Sequence, residues 1–80
     1  MPRIIKIIRN QTDCFLRINP NKSDRLEISN DGVCWCWAGQ SRFNLVDFVS
    51  NDGDIITAID DKGELCFGWV RDLCNWQKRY

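Results

Sequence analysis

Turn chemistry returns along the chain too often for any long helix to fit between the turns. Clusters of Asn, Asp, Gly, Ser and Pro stand at "NPNKSD" (19–24), "SNDG" (29–32), "AGQS" (38–41), "SNDGD" (50–54) and "DDKG" (60–63). These residue types tolerate positive φ or bond back to their own backbone, and Asp-Gly between apolar alternations is a strong hairpin signal. What lies between them is strand-sized.

Those intervening segments alternate with the period of two that a half-buried strand requires. Residues 3–9 are rich in isoleucine on both faces. In 14–19, Cys14, Leu16 and Ile18 oppose Phe15 and Arg17; Leu26 and Ile28 alternate with Arg25, Glu27 and Ser29. Residues 42–49 carry apolar side chains on both faces, a pattern that a bulge would reconcile with one core. Ile55, Thr57 and Ile59 follow, then Leu65, Phe67 and Trp69. In the last ten residues the period changes, with Leu73, Trp76 and Tyr80 three and four apart, which predicts a short C-terminal helix. The expectation is an all-β, mainly antiparallel fold over residues 1–80, a single small barrel or strongly curled sheet of five to seven short strands with that helix at its end.

Eighty residues hold one small core. The 44% apolar and 28% charged fractions are those of a folded chain rather than a disordered one. The longest apolar run near the N-terminus, Ile4-Ile5 and Ile7-Ile8, is interrupted by Lys6 and is too short for a signal-peptide core or a membrane span. Five cysteines, at 14, 34, 36, 66 and 74, are an odd number without framework spacing. A cytoplasmic protein with reduced thiols and no membrane partner is therefore expected.

The stretch "DGVCWCWAG" (31–39) raises three chemical readings. A structural zinc site needs four ligands, usually from closely spaced pairs on turns, and here histidine is absent and Cys14, Cys66 and Cys74 stand apart; no metal is expected. A disulfide between Cys34 and Cys36 in one extended strand is geometrically poor, and cross-strand pairs with Cys14 or Cys66, though easier, are unneeded in a reducing compartment. The remaining reading is a strand with a small face, Cys34, Cys36 and Ala38, and a large one, Val33, Trp35 and Trp37. Either face could be the inner one. Tryptophan's high average burial favours a core place for at least one of the two.

Without histidine there is no Ser-His or Cys-His arrangement and the commonest general acid-base group is missing. The paired acids Asp60-Asp61 and Asp52/Asp54 sit in turn sequences, where solvated turn formation is their usual role. "NDGD" lacks the spacing of a calcium loop, and no glycine-rich nucleotide loop occurs. No enzyme and no cofactor are expected.

Charge is zero overall but uneven along the chain. Residues 1–25 carry six basic side chains against Asp13 and Asp24, residues 26–70 carry Arg42 and Lys62 against eight acids, and the last ten residues return to net +2. Two functional readings remain. The first is a protein-binding inhibitor or adaptor of a larger complex, with Trp35, Trp37, Trp69 and Trp76 and the arginines Arg3, Arg9 and Arg17 as partner-binding residues, because Trp and Arg dominate interface hot spots. In size and lack of motifs alone, such a chain is similar in character to small phage or mobile-element proteins that block host defence, such as anti-CRISPR proteins. The second is a small barrel that binds single-stranded nucleic acid or RNA, with Arg3, Lys6, Arg9, Arg17 and Arg25 giving the charge and Phe15, Trp35, Trp37 or Trp69 stacking bases. The sequence pI near 6.1 opposes it, since such modules are usually basic. A homodimer built on the aromatic patch is compatible with both.

Overall fold

The structure, a computed structural model, describes residues 2–78. Eight strands follow one another: β1 (Ile5–Arg9), β2 (Thr12–Asn19), β3 (Lys22–Ser29), β4 (Cys36–Gln40), β5 (Leu45–Asp52), β6 (Ile55–Asp60), β7 (Leu65–Trp69) and β8 (Asp72–Lys78). They form two four-stranded antiparallel sheets, each in sequence order, β1-β2-β3-β4 and β5-β6-β7-β8. The all-β antiparallel expectation holds. The strands number eight rather than five to seven, and the two sheets stack instead of closing into a barrel.

The turns explain the meanders. Asn10 and Gln11, at φ 53° and 63°, make a two-residue hairpin between β1 and β2 with both central residues left-handed, the geometry that matches strand twist. Asn19 Oδ1 accepts from the Asn21 and Lys22 amides at 2.8 and 3.1 Å, and Asp60 Oδ1 accepts from Lys62 and Glu64 at 3.0 and 2.7 Å. These are side chains replacing backbone partners at a bend. The segment 38–41 does not turn where its composition suggested: Ala38 to Gln40 stay in β4, and residues 41–44 carry the chain across to the second sheet.

β5 starts beside β3, where Ser23 Oγ donates to Asn44 Oδ1 at 3.0 Å. It then runs diagonally across to β1, where the Arg3 amide donates to Asp47 Oδ1 (2.7 Å) and Asn51 Nδ2 to the Lys6 carbonyl (3.0 Å). At the opposite edge β8 lies against β4. Approach there is so close that a methyl on Gly39 would meet the Leu73 Cβ and carbonyl oxygen at 2.5 Å; within the second sheet, one on Gly68 of β7 would meet the Trp76 ring at 2.7 Å. Glycine is the residue that permits such contact.

The core between the sheets is Ile7, Cys14, Leu16, Ile18 and Leu26 from the first sheet against Leu45, Phe48, Ile56, Cys66, Leu73 and Trp76 from the second. The predicted C-terminal helix is a strand, β8, and no helix occurs among the described residues; Tyr80, part of that expectation, lies outside them. The physical reason is a register shift between Phe67 and Trp69 in the β7–β8 ladder, which lets Leu73 and Trp76, three apart, both face inward from extended chain. A bulged strand and one turn of helix give the same apolar spacing.

Candidate functional site

Side-chain alternation sorts the sheet surfaces into an inner face that packs and outer faces that do not. In the first sheet, Leu16 pairs with Ile28 and Ile28 with Cys36 on the inner side, while Arg17 pairs with Glu27 and Glu27 with Trp37 on the outer side. Thus Cys36 faces inward and Trp35 and Trp37 face outward, and neither of these tryptophans enters the core. That place is taken by Trp76, 1% exposed, whose Nε1 donates to the Leu73 carbonyl at 2.7 Å. Trp76, counted from the sequence among partner-binding residues, is a buried core residue.

The outer face of the first sheet is organised around one carboxylate. Glu27 is only 4% exposed although it points away from the core. Its Oε1 accepts from Arg17 Nε at 2.9 Å, and its Oε2 accepts from Arg25 Nε at 2.8 Å and Asn19 Nδ2 at 3.0 Å. Burial opposes ionisation of Glu27, but the three donors, Asn19, Arg17 and Arg25, outweigh it and hold the carboxyl below its ordinary range. Arg17 in turn lies over the Trp35 ring, 4.4 Å from its centre. Trp37 stands beside this cluster with 52% of its surface exposed, at one wall of a shallow 270 Å³ cavity lined by Lys22, Asp24, Arg25, Trp37 and Gln40. Two arginines and two tryptophans are thus presented together on a rigid four-stranded platform.

Of the residues singled out in the sequence, this face brings together Trp35, Trp37 and Arg17. Arg25, named from the sequence for the nucleic-acid reading but not among the protein-binding residues, completes it; its place on one face with Glu27, two residues on, was the available signal. The other arginines do not converge with Arg17. Arg3 precedes β1 and is tied to Asp47 of β5 through its backbone and its Nε, 3.4 Å from Oδ2. Arg9 ends β1 on the inner side, in line with Ile5 and Ile7, and pairs with Thr12. Trp69 is half-buried on the outer face of the second sheet, paired with Ile55.

That second outer face has a different chemistry. Its two central strands carry Ile55, Ile59, Leu65, Phe67 and Trp69, with Asp52 opposite Ile55 and Asp72 opposite Trp69 at the borders. Ile55 and Leu65 are 46% and 39% exposed. This is a second exposed apolar patch, besides that of Trp37 on the first sheet.

Two of the four acids considered for catalysis, Asp60 and Asp54, are held in ion pairs. Asp60 lies 2.6 Å from Lys78 Nζ, which also reaches Glu64 Oε1 at 3.0 Å and sits 4.9 Å from the centre of the Phe43 ring. The Lys78 contact is the main cause that holds Asp60 below its usual range, and Asp60 in turn raises Lys78 above the ordinary lysine value. Asp54 pairs with Arg71 at 3.2 Å. Among the described residues all five cysteines are unpaired, with Cys14 and Cys66 buried and Cys34, Cys36 and Cys74 exposed. Among the described residues no three metal-ligating side chains come together, and no helix is long and apolar enough to cross a membrane.

No protein-family model matches the chain, and neither the curated proteins nor the solved structures compared with it give a match.

Proposed function

We propose that this chain is a non-enzymatic binding module, an inhibitor or adaptor that docks onto another protein through the outer face of its first sheet. The observation that carries this reading is the Arg17–Trp35 stack anchored on buried Glu27, with Trp37 exposed beside it. Arginine and tryptophan are the residue types that supply most interface energy, and side chains already held in place lose little freedom on binding. The unpaired thiols fit a reducing cytoplasm.

A second reading, single-stranded nucleic acid on the same face, draws on the stacked arginine and the exposed indole. It is the weaker one because Glu27 already compensates both arginines, so a phosphate would compete with a carboxylate for them.

Tagged capture from lysate, split into nuclease-treated and untreated halves and run beside Trp37→Ala, tests the choice. The protein reading expects one defined protein complex, insensitive to nuclease and lost with Trp37→Ala. Recovery that vanishes with nuclease, with binding that falls steeply as salt rises, reverses the ranking.

A further inference from the structure

The second sheet does not cover the whole inner face of the first. Along the cross-strand row Ile5, Leu16, Ile28 and Cys36, burial falls from complete at Leu16 to partial at Ile28, and Cys36 is exposed although it faces inward. Two adjoining cavities occupy this uncovered end. One, of about 210 Å³, is lined by Ile28, Ser29, Asn30, Asp31, Cys34 and Cys36; the other, of about 440 Å³, by Arg9, Asn10, Thr12, Cys14, Ile28 and Asn30. Ile28 and Asn30 belong to both.

Arg9 enters this groove from the inner side of β1. Its Nη1 is buried and has no hydrogen-bond partner among the described residues. A shielded guanidinium nitrogen without an acceptor is costly, and because Arg9 as a whole is only half-buried and lines the groove, its guanidinium can turn to an acceptor seated there. The nearby acids do not supply the acceptor. Asp31 Oδ1 accepts from Ser29 Oγ and from the Val33 and Cys34 amides at 2.8 to 2.9 Å, and the Cys34 and Val33 amides above all hold its carboxyl at a pKa of about 2. Asp13 points to the outer face, 3.6 Å from Lys6.

We propose that Arg9 anchors a binding site for a carboxylate carried on a short apolar stem, seated in the groove between the β1–β2 turn and the loop from Ser29 to Cys36. A planar guanidinium matches a carboxylate edge to edge. A single cation, with the Asp31 carboxylate itself in the lining of the adjoining cavity and Asp13 beside Cys14 in the chain, favours a monoanion over a phosphate dianion. Cys14 and Ile28 supply an apolar floor, and Asn10, Thr12 and Asn30 supply neutral polar groups at the rim. The site is separate from the tryptophan face and does not depend on the reading given to it.

The chemistry admits a free small acid or the C-terminal carboxylate of a peptide. The test is a ¹⁵N–¹H NMR titration of the full chain at constant ionic strength with butyrate, N-acetylvaline and inorganic phosphate, following the Arg9 Nε–H and the Asn10, Cys14 and Asn30 amides. The expected result is saturable shifts with butyrate, N-acetylvaline or both, weakened about tenfold in Arg9→Gln. Saturation by butyrate alone identifies free acids as the source, and by N-acetylvaline alone a peptide terminus. In the ligand-free protein, Arg9→Leu is expected to unfold at the same temperature or higher, because it removes an unpaired buried donor. Shifts that do not saturate, that persist in Arg9→Gln, or that phosphate reproduces equally would overturn the site, as would a lower unfolding temperature in Arg9→Leu.

Discussion

The Arg17 guanidinium lies over the Trp35 ring, 4.4 Å from its centre, while its Nε holds Glu27 at 2.9 Å, so one side chain is fixed from two directions. A long side chain normally gives up about 2 kcal/mol of rotamer freedom when it is immobilised. Here much of that loss occurs on folding, before a partner arrives. The surface is preorganised by a carboxylate that is itself only 4% exposed.

Glu27→Gln is expected to cost about 1–3 kcal/mol at neutral pH, since it withdraws the charge that satisfies two arginines. The folded carboxyl titrates below its unfolded value. This contribution is therefore fully present above the ordinary glutamate range and is lost as pH falls through the folded value. Urea unfolding of wild type and variant at pH 7, 5 and 3 checks it: the gap should narrow at pH 3, and an unchanged gap would contradict the assignment.

The two tryptophan classes separate by mutation. Trp76→Ala should cost about 3–5 kcal/mol, enough to leave a chain of this size largely unfolded. Trp37→Ala should change stability by less than about 1 kcal/mol yet weaken partner capture roughly thirtyfold. Near-ultraviolet circular dichroism with the capture assay reads both effects together.

Gly39→Ala places a methyl 2.5 Å from the Leu73 backbone, where no rotamer change relieves it. A loss of about 3 kcal/mol or more is expected, with β4 and β8 driven apart. Hydrogen exchange should then rise in those two strands before the others. Uniform protection would show that the edges do not hold the sheets together.

Lys78→Met removes the cation shared by Asp60 and Glu64 and should lower the unfolding temperature clearly, whereas Lys6→Met, from the exposed Asp13 pair, should hardly move it. Asp60 is held below its unfolded value, so its share of the clasp is present at neutral pH and fades as pH drops through the folded carboxylate value. The Lys78 value is raised, so that side persists through alkaline pH until lysine itself deprotonates. Scanning calorimetry from pH 3 to 9 measures the acid limb.

If a second copy uses the apolar outer face of the second sheet, Leu65→Lys should abolish concentration dependence in sedimentation without altering the fold. A wild-type chain that sediments as a monomer at high micromolar concentration would leave that face unpaired by its own kind.

The hairpins were legible because Asn, Asp and Gly mark where the chain must bend and alternation marks what lies between. Face assignment was not, since Cys34/Cys36 and Trp35/Trp37 are both apolar and alternation alone carries no sign. The sign comes from Ile28, whose pairing with Cys36 puts that thiol on the inner side. Closure into a barrel depends on whether β4 pairs with β5, and residues 41–44 settle that by crossing between sheets. The β8 bulge mimicked a helical period. Arg17 meets Glu27 only through the β2–β3 register, which the Asn19–Lys22 turn sets.

Each sheet is made from one uninterrupted stretch, residues 5–40 and 45–78, so every ladder joins sequence neighbours. Closing such hairpins costs little loop entropy, and neither meander needs the other to set its register. The chain is then, in effect, two halves joined by a four-residue hinge. Cut between Arg42 and Phe43, it becomes a pair of complementing fragments whose association is reported by burial of Trp76, a natural split reporter with its own fluorophore at the seam.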